Sequence, residues 1–154
     1  MSKKVIIVIG SNGLIGKYLC NYLLNNNNNV VMVDFKKTNI KSKNTNGLFI
    51  KSDITKENSI KKIILSVYKK YKKIDVVINC AYPKTKKWGK SFINSNPNDI
   101  KEDLFNQLGS SILICRNFYK FFAKQGYGNL ILLSSIQSLK SPIFEHYKGT
   151  NITS

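Results

Sequence analysis

The chain has 154 residues, 42% of them hydrophobic, and a formal net charge of +17. One domain of this length hides roughly 70% of its unfolded surface, so a core needs neither metal nor disulfide support. The charge is carried almost entirely by lysine, with Arg116 the only arginine, and is spread through most segments beside many asparagines and isoleucines; nucleic-acid readers gather charge on one face and use arginine forks, so no nucleic-acid partner is expected.

The cysteines Cys20, Cys80 and Cys115 stand far apart, with no Cys-x-x-Cys pair and no histidine at ligand spacing. They read as buried thiols of a reducing compartment, with no metal site. The first apolar run is too short for the apolar region of a secretory signal, and no segment nears the ~20 apolar residues of a membrane span. A soluble, cytoplasmic protein without a membrane partner is expected.

In chain order, VIIVI at residues 5–9 is an uninterrupted β-branched run, the pattern of a parallel strand covered on both faces. LIGKYLCNYLL at 14–24 has apolar residues at helical spacing, and the asparagine run at 25–29 ends it. VVMVD at 30–34 is a second buried strand, so strand, helix and strand form one βαβ unit. The pattern repeats with a strand over 47–55 and a helix over 56–73, whose Ile60, Ile63, Ile64, Val67 and Tyr71 share one face. A fourth strand at 74–79, a loop rich in Pro, Lys and Asn at 81–98, a long helix at 99–124 and a fifth strand at 128–135 complete the series. Right-handed crossovers arrange these strands as a doubly wound α/β sheet in the order 3-2-1-4-5, with helices on both faces. No linker or repeat divides it, so residues 1–154 read as a single domain.

GSNGLIG sets Gly10, Gly13 and Gly16 between the first strand and the first helix. Gly10 permits the tight turn, Gly13 lets backbone approach a pyrophosphate, and Gly16 lets helix pack close to strand. With Ser11, Asn12, Leu14 and Ile15, this loop is the candidate phosphate cradle, since a helix N-terminus offers free N–H groups and partial positive charge. Glycine spacing alone is a weak signal; its place between strand and helix, with Asp34 ending the next strand, makes it specific. The Asp34 carboxylate suits both hydroxyls of an adenosine ribose and repels a 2′-phosphate. NAD is therefore expected over NADP, although Lys36 and Lys37 lie near enough to keep NADP open.

These stretches resemble the short-chain dehydrogenase/reductase family, with its NAD(P)-binding Rossmann-type sheet in three α/β/α layers. KSDIT is similar to the acidic segment after that family's third strand, which implies Asp53 at the adenine amino group and Ile54 against the ring. INCAY resembles the cofactor-lining Asn-Asn-Ala-Gly segment; Asn79 and Ala81 match it, while Cys80 and Tyr82 depart. LILLSS resembles the strand that carries the catalytic serine, which implies Ser135. NCAYPKTKKWGKSF, FFAKQGYGNLILLSS and FEHYKGTNITS resemble a bacterial branch linked to surface-polysaccharide and flagellin-glycan synthesis, which implies a sugar or nucleotide-sugar substrate.

The family resemblance also implies an asparagine in the fourth helix and a tyrosine followed four residues later by lysine. Gln107 stands at the asparagine position with Asn106 one residue earlier. One residue turns a helix by about 100°, so Asn106 reaches that place only through a local bulge. Tyr147 lies twelve residues beyond Ser135, but Asn151 stands where the lysine belongs. A tyrosine titrates near ~10 and needs a neighbouring cation to act as a base at neutral pH, so Tyr147 reads as a decoy within a substrate loop. His146, without a carboxylate partner at a recognised spacing, reads as a loop residue.

By that resemblance the chain stops before its Tyr-x-x-x-Lys, and lacks the family's last strands and the helix that helps build its homo-oligomers. The expected function is NAD-dependent hydride transfer at a hydroxyl or ketone of a sugar-like molecule, present as the cofactor-binding part. The alternatives are a non-catalytic dinucleotide-binding module and a fragment of a nucleotide-sugar epimerase or dehydratase.

Overall fold

The computed structural model of the protein describes residues 3–37, 46–86, 88–89 and 92–150. Strands β1 (Val5–Ile9), β2 (Asn29–Asp34), β3 (Gly47–Lys51), β4 (Val76–Asn79) and β5 (Asn129–Leu132) form one sheet in the order β3-β2-β1-β4-β5. Every pairing is parallel. Helices α1 (Leu14–Asn25), α2 (Glu57–Tyr71), α3 (Pro97–Leu104) and α4 (Ser110–Gln125) make the connections, and a π turn at Phe105–Gly109 joins α3 to α4. This is the expected Rossmann-type order.

Alternation along the central strands sorts the core into two layers. Val5, Ile7 and Ile9 of β1, with Val31 and Val33 of β2, meet Ile60, Ile63, Ile64 and Val67 of α2 and Ile114 and Phe118 of α4. Ile6, Val8, Val30 and Met32 point the other way, onto Cys20 and Leu24 of α1. All five residues of β1 are buried because strands flank both edges and helices cover both faces. The α2 face carries the four isoleucine and valine positions read from the sequence, with Tyr71 packed against them.

The asparagine run does more than interrupt α1. The Asn26 amide donates to the Tyr22 carbonyl at 2.8 Å and the Asn28 amide to the Leu23 carbonyl at 3.2 Å. Asn27 takes the left-handed conformation at φ 59° that ends helices. At the N-terminal edge of the sheet, Asp75 accepts from the Val5 N–H at 2.7 Å and pairs with Lys73 at 3.0 Å. Its backbone bonds both Val5 and Asn129, tying β1 to β4 and β4 to β5.

The long helix expected over 99–124 is present as one unbroken helical run, with the π turn inserted between α3 and α4 as a feature the sequence reading did not include. A Cβ on Gly109 would stand 2.6 Å from the Phe105 ring, so glycine makes room for that ring over the widened turn. The Ser110 hydroxyl bonds the Asn106 carbonyl, and the Ser111 hydroxyl bonds the Gln107 carbonyl at 2.8 Å. Those serines satisfy acceptors that the α-helical ladder leaves behind. The outer face of this helix pair and the far edge of the sheet are open, with Leu108 61%, Ile112 56%, Tyr119 72% and Leu132 44% exposed.

Cys20, Cys80 and Cys115 are free thiols. Burial, reinforced by nearby Cys80, pushes the Cys20 thiol up to about 12, and burial also raises Cys80. Among the described residues, no helix is long and apolar enough to cross a membrane.

Candidate functional site

The strand order reverses between β1 and β4, and open parallel sheets bind ligands outside the carboxyl ends of the strands at such a point. The loops after β1 and β4 touch there. Gly10, at φ 78°, lies so close to Ala81 that a Cβ would come within 2.7 Å of the Ala81 nitrogen. A groove of about 370 Å³ between Tyr119, Phe122 and Leu130 lies at the opposite, amino end of β5.

The glycine loop is tightly built. Gly10 and Ser11 donate to the Val33 carbonyl at 2.9 and 3.1 Å, anchoring the loop to β2. A Cβ on Gly16 would meet the Gly10 carbonyl oxygen at 2.1 Å, and one on Gly13 would meet the same oxygen at 3.3 Å. Helix α1 has no side-chain cap and no acid in its first turn. Among the described residues, the N–H groups of Leu14, Ile15 and Gly16 have no protein acceptor, while Lys17 is the first to bond back, to Gly13. Three uncapped donors at a helix start beside a glycine cradle fit a pyrophosphate. Leu14 is 92% exposed, so none of the described residues covers this turn. The Ser11 hydroxyl is buried without a partner.

Asp34 is 8% exposed, so it does not simply face water at the strand end. One carboxylate oxygen accepts from the Asn12 N–H at 3.0 Å and the other from the Lys36 N–H at 3.1 Å. Each oxygen keeps capacity for a second donor, so the carboxylate both braces the loop and can receive a diol. The Asn12 amide donates to the Lys36 carbonyl at 3.0 Å, clamping the chain beyond β2, and the Lys36 ammonium lies 5.3 Å over the Phe35 ring. Asp53 stands beyond β3, next to Ser52, which donates to the Asp34 carbonyl at 2.8 Å. Burial works to raise the Asp53 carboxyl, but the Thr55 hydroxyl and N–H and the Lys56 ammonium outweigh it and hold it below its ordinary value. Ile54 is 7% exposed within the core, so its side chain serves packing first.

Asn79 is buried at the end of β4, where its amide oxygen accepts from Ala81 N–H at 3.2 Å and its amide nitrogen meets the Ser111 hydroxyl at 3.5 Å. That link fixes the loop after β4 to the first turn of α4. Ser135 lies beyond β5 as the cap of a short 3-10 turn, accepting from the Gln137 N–H at 3.1 Å. The Gln137 amide reaches the Tyr147 hydroxyl at 3.4 Å, and Asn151 lies outside the described residues.

The bulge that Asn106 requires exists, yet the side chain turned toward the β4 loop is that of Gln107. Its Nε2 is buried without a partner. Burial pushes the neighbouring Tyr82 phenol above its ordinary value, the Asp103 carboxylate and the Tyr147 phenol add to the rise, and the Gln107 side chain opposes it. Asp103 in turn accepts from the Thr85 N–H at 2.8 Å and its hydroxyl at 3.1 Å. The Tyr82 ring meets Trp88 edge-on at 5.6 Å. Sequence reasoning marked Tyr82 only as a departure; the aromatic spacing of Tyr82 and Trp88 before an acidic helix was the signal available.

A sequence model described as short chain dehydrogenase matches residues 4–150. The chain is 36% identical over 163 aligned residues to post-translational flagellin modification protein A of Campylobacter coli, covering 100% of this chain and 64% of that protein. It is 30% identical over 140 residues to the 3-oxoacyl-[acyl-carrier-protein] reductase of Buchnera aphidicola, covering 88% of this chain and 56% of the relative. A crystal structure of a short chain dehydrogenase from Leptospira borgpetersenii with bound NAD+ superposes with a TM-score of 0.85 at 23% identity, covering 96% of this chain and 57% of that one. The chain thus spans under two thirds of the length of these relatives.

Proposed function

The chain belongs to the short-chain dehydrogenase family, and we propose that it binds a nicotinamide dinucleotide, NAD in preference to NADP, across the loops after β1 and β4. The observation that carries this reading is the uncapped start of α1, where three N–H donors face a cradle that any side chain on Gly16 would fill. Asp34 receives the adenosine ribose, and its charge disfavours a 2′-phosphate. The Lys36 ammonium, resting on Phe35, is turned to a ring rather than offered to that phosphate. Asp53 receives the adenine amino group, with Ile54 supporting that edge, while Asn79 and Ala81 line the path toward the nicotinamide.

The bound nicotinamide supplies or accepts hydride. The parent reaction is oxidation or reduction at a hydroxyl or ketone of a sugar-like small molecule, a reading supported by the likeness to a flagellin modification protein. Ser135 donates to the substrate oxygen, and Gln107 stands on the helix side of the same space. Tyr147 has no lysine four residues on, so nothing at that spacing favours its phenolate. The described residues thus offer a cofactor cradle and one substrate-polarising hydroxyl.

Thermal melting with NAD+ and NADP+ tests the binding. A ligand at a hundred times its Kd adds about 2.7 kcal/mol, a rise of about 5–10 °C for a domain of this size. NAD+ is expected to give the larger shift. No shift with either nucleotide would overturn the reading.

A further inference from the structure

We infer that Tyr82 and Trp88 form an aromatic wall for the ring of a hydroxyl-rich sugar, held in place by Gln107 and by the Asp103–Thr85 clasp beside the cofactor crevice. This rests on the cofactor reading above and names the substrate subsite next to it.

Tyr82 directly follows Ala81, the residue pressed against Gly10 at the junction of the two cofactor loops. The wall therefore starts one residue from the crevice, on the β4 side. Although they meet edge-on at 5.6 Å, Tyr82 remains 57% exposed and Trp88 38% exposed. Two large rings exposed at the mouth of a binding crevice are amphipathic contact area, with apolar faces for the C–H side of a sugar and a polar tip for its hydroxyls.

A loop wall binds well only if it is rigid before the ligand arrives. Both Asp103 carboxylate oxygens grip Thr85, through its N–H at 2.8 Å and its hydroxyl at 3.1 Å, so Thr85, between the two rings in the chain, is pinned to α3. Gln107 supports the wall from the π turn. Its carbonyl is held by Ser111, its side chain acts on the Tyr82 phenol, and its Nε2 is buried without a partner. A buried amide left unpaired costs about 1–3 kcal/mol, so a ligand hydroxyl that reaches it recovers that cost. The phenol, raised above its ordinary value by burial first, is a hydrogen-bond donor at neutral pH. Tyr147, bonded to Gln137, brings a second phenol to the same cluster.

The chemistry of this set separates two substrate classes. A saturated acyl chain would cover the rings but offer nothing to the Gln107 amide nitrogen or the Tyr82 hydroxyl. A polyhydroxylated ring engages rings and polar groups together.

Trp88 is the only tryptophan, so its emission reports on the wall alone. The NAD+-loaded chain is titrated with glucose, galactose and N-acetylglucosamine, with cyclohexanol as a ring of similar size lacking the hydroxyl set. A saturable emission change with at least one sugar and none with cyclohexanol is expected. Tyr82→Phe should weaken that sugar about fivefold, the scale of one hydrogen bond, with NAD+ affinity and melting temperature unchanged. Gln107→Leu should weaken it similarly in the parent chain and add little in the Tyr82→Phe background, a coupling that a merely structural role would not produce. The inference is overturned if no sugar alters the emission, if cyclohexanol matches the sugars, or if the two substitutions add independently. NAD+ binding measured beside each titration separates the cases: sugar silence with intact NAD+ binding removes this inference alone, whereas absent NAD+ binding removes the cofactor reading as well.

Discussion

Replacing Asp34 by asparagine changes charge with almost no change of shape, and the structure sets two consequences against each other. The carboxylate accepts from the Asn12 N–H on one oxygen and the Lys36 N–H on the other. An amide keeps one acceptor and turns an NH₂ toward the remaining N–H, so one loop donor loses its partner at about 1–2 kcal/mol of stability. Loss of charge-assisted bonds to a ribose diol weakens NAD+ by about 1.5–3 kcal/mol, roughly ten- to a hundredfold. NADP+ moves the other way. A unit of phosphate charge about 5 Å from the carboxylate, at an effective dielectric near 20, meets about 3 kcal/mol of repulsion, which the amide removes and which salt partly screens beforehand. The ratio of NAD+ to NADP+ affinity should therefore fall by about a hundredfold or more. Calorimetric titration of both nucleotides into the parent chain and Asp34→Asn measures it. A parent chain without preference, or a variant whose ratio moves less than threefold, would refute the assignment of Asp34 to the ribose.

Other expectations follow from the core and its thiols. Cys20, fully buried with its thiol pushed from 9.0 to about 12, should resist alkylation at pH 8 in the native state and react only on unfolding, while Cys115 labels first. Because the unfolded thiol ionises first, the Cys20 contribution to stability is intact below pH 9.0 and is lost as pH rises toward about 12; a Cys20→Ser variant should show a shallower alkaline fall in denaturant midpoint. Phe118, fully buried between the sheet and α2, should cost about 3–5 kcal/mol when replaced by alanine, read from the shift in urea midpoint at constant slope. The open faces at Leu108, Ile112, Tyr119 and Leu132 should make the isolated chain associate with rising concentration, and a monomer in light scattering at every concentration would count against that.

The strand order was legible because each buried strand announces itself as a short β-branched run between helical segments. The ends were less so. The strand read over 128–135 pairs only from Asn129 to Leu132, since its partner β4 offers four residues, Val76 to Asn79. Ser135 consequently sits in a turn beyond the sheet rather than on it. Helical periodicity over 99–124 hid the π turn, because inserting one residue shifts phase without changing local composition. Gly109 four residues after Phe105, followed by two serines able to bond freed carbonyls, was the trace it left. In the glycine loop the residue types themselves encode the geometry, so the cradle could be read directly. The pairing of Gln107 with Tyr82 could not, because it joins a bulged helix to a loop 25 residues earlier, a contact no local pattern records.

The cradle at the start of α1 carries the cofactor reading. Nicotinamide emission of NADH, titrated with the parent chain and with Gly16→Ala, tests it most directly. A Cβ at residue 16 would meet the Gly10 carbonyl oxygen at 2.1 Å, backbone that cannot yield without opening the loop. Saturable one-to-one binding by the parent chain, lost at least tenfold in Gly16→Ala while the variant remains folded by circular dichroism, is the expected result. Equal binding by both chains, or none by the parent, would contradict it.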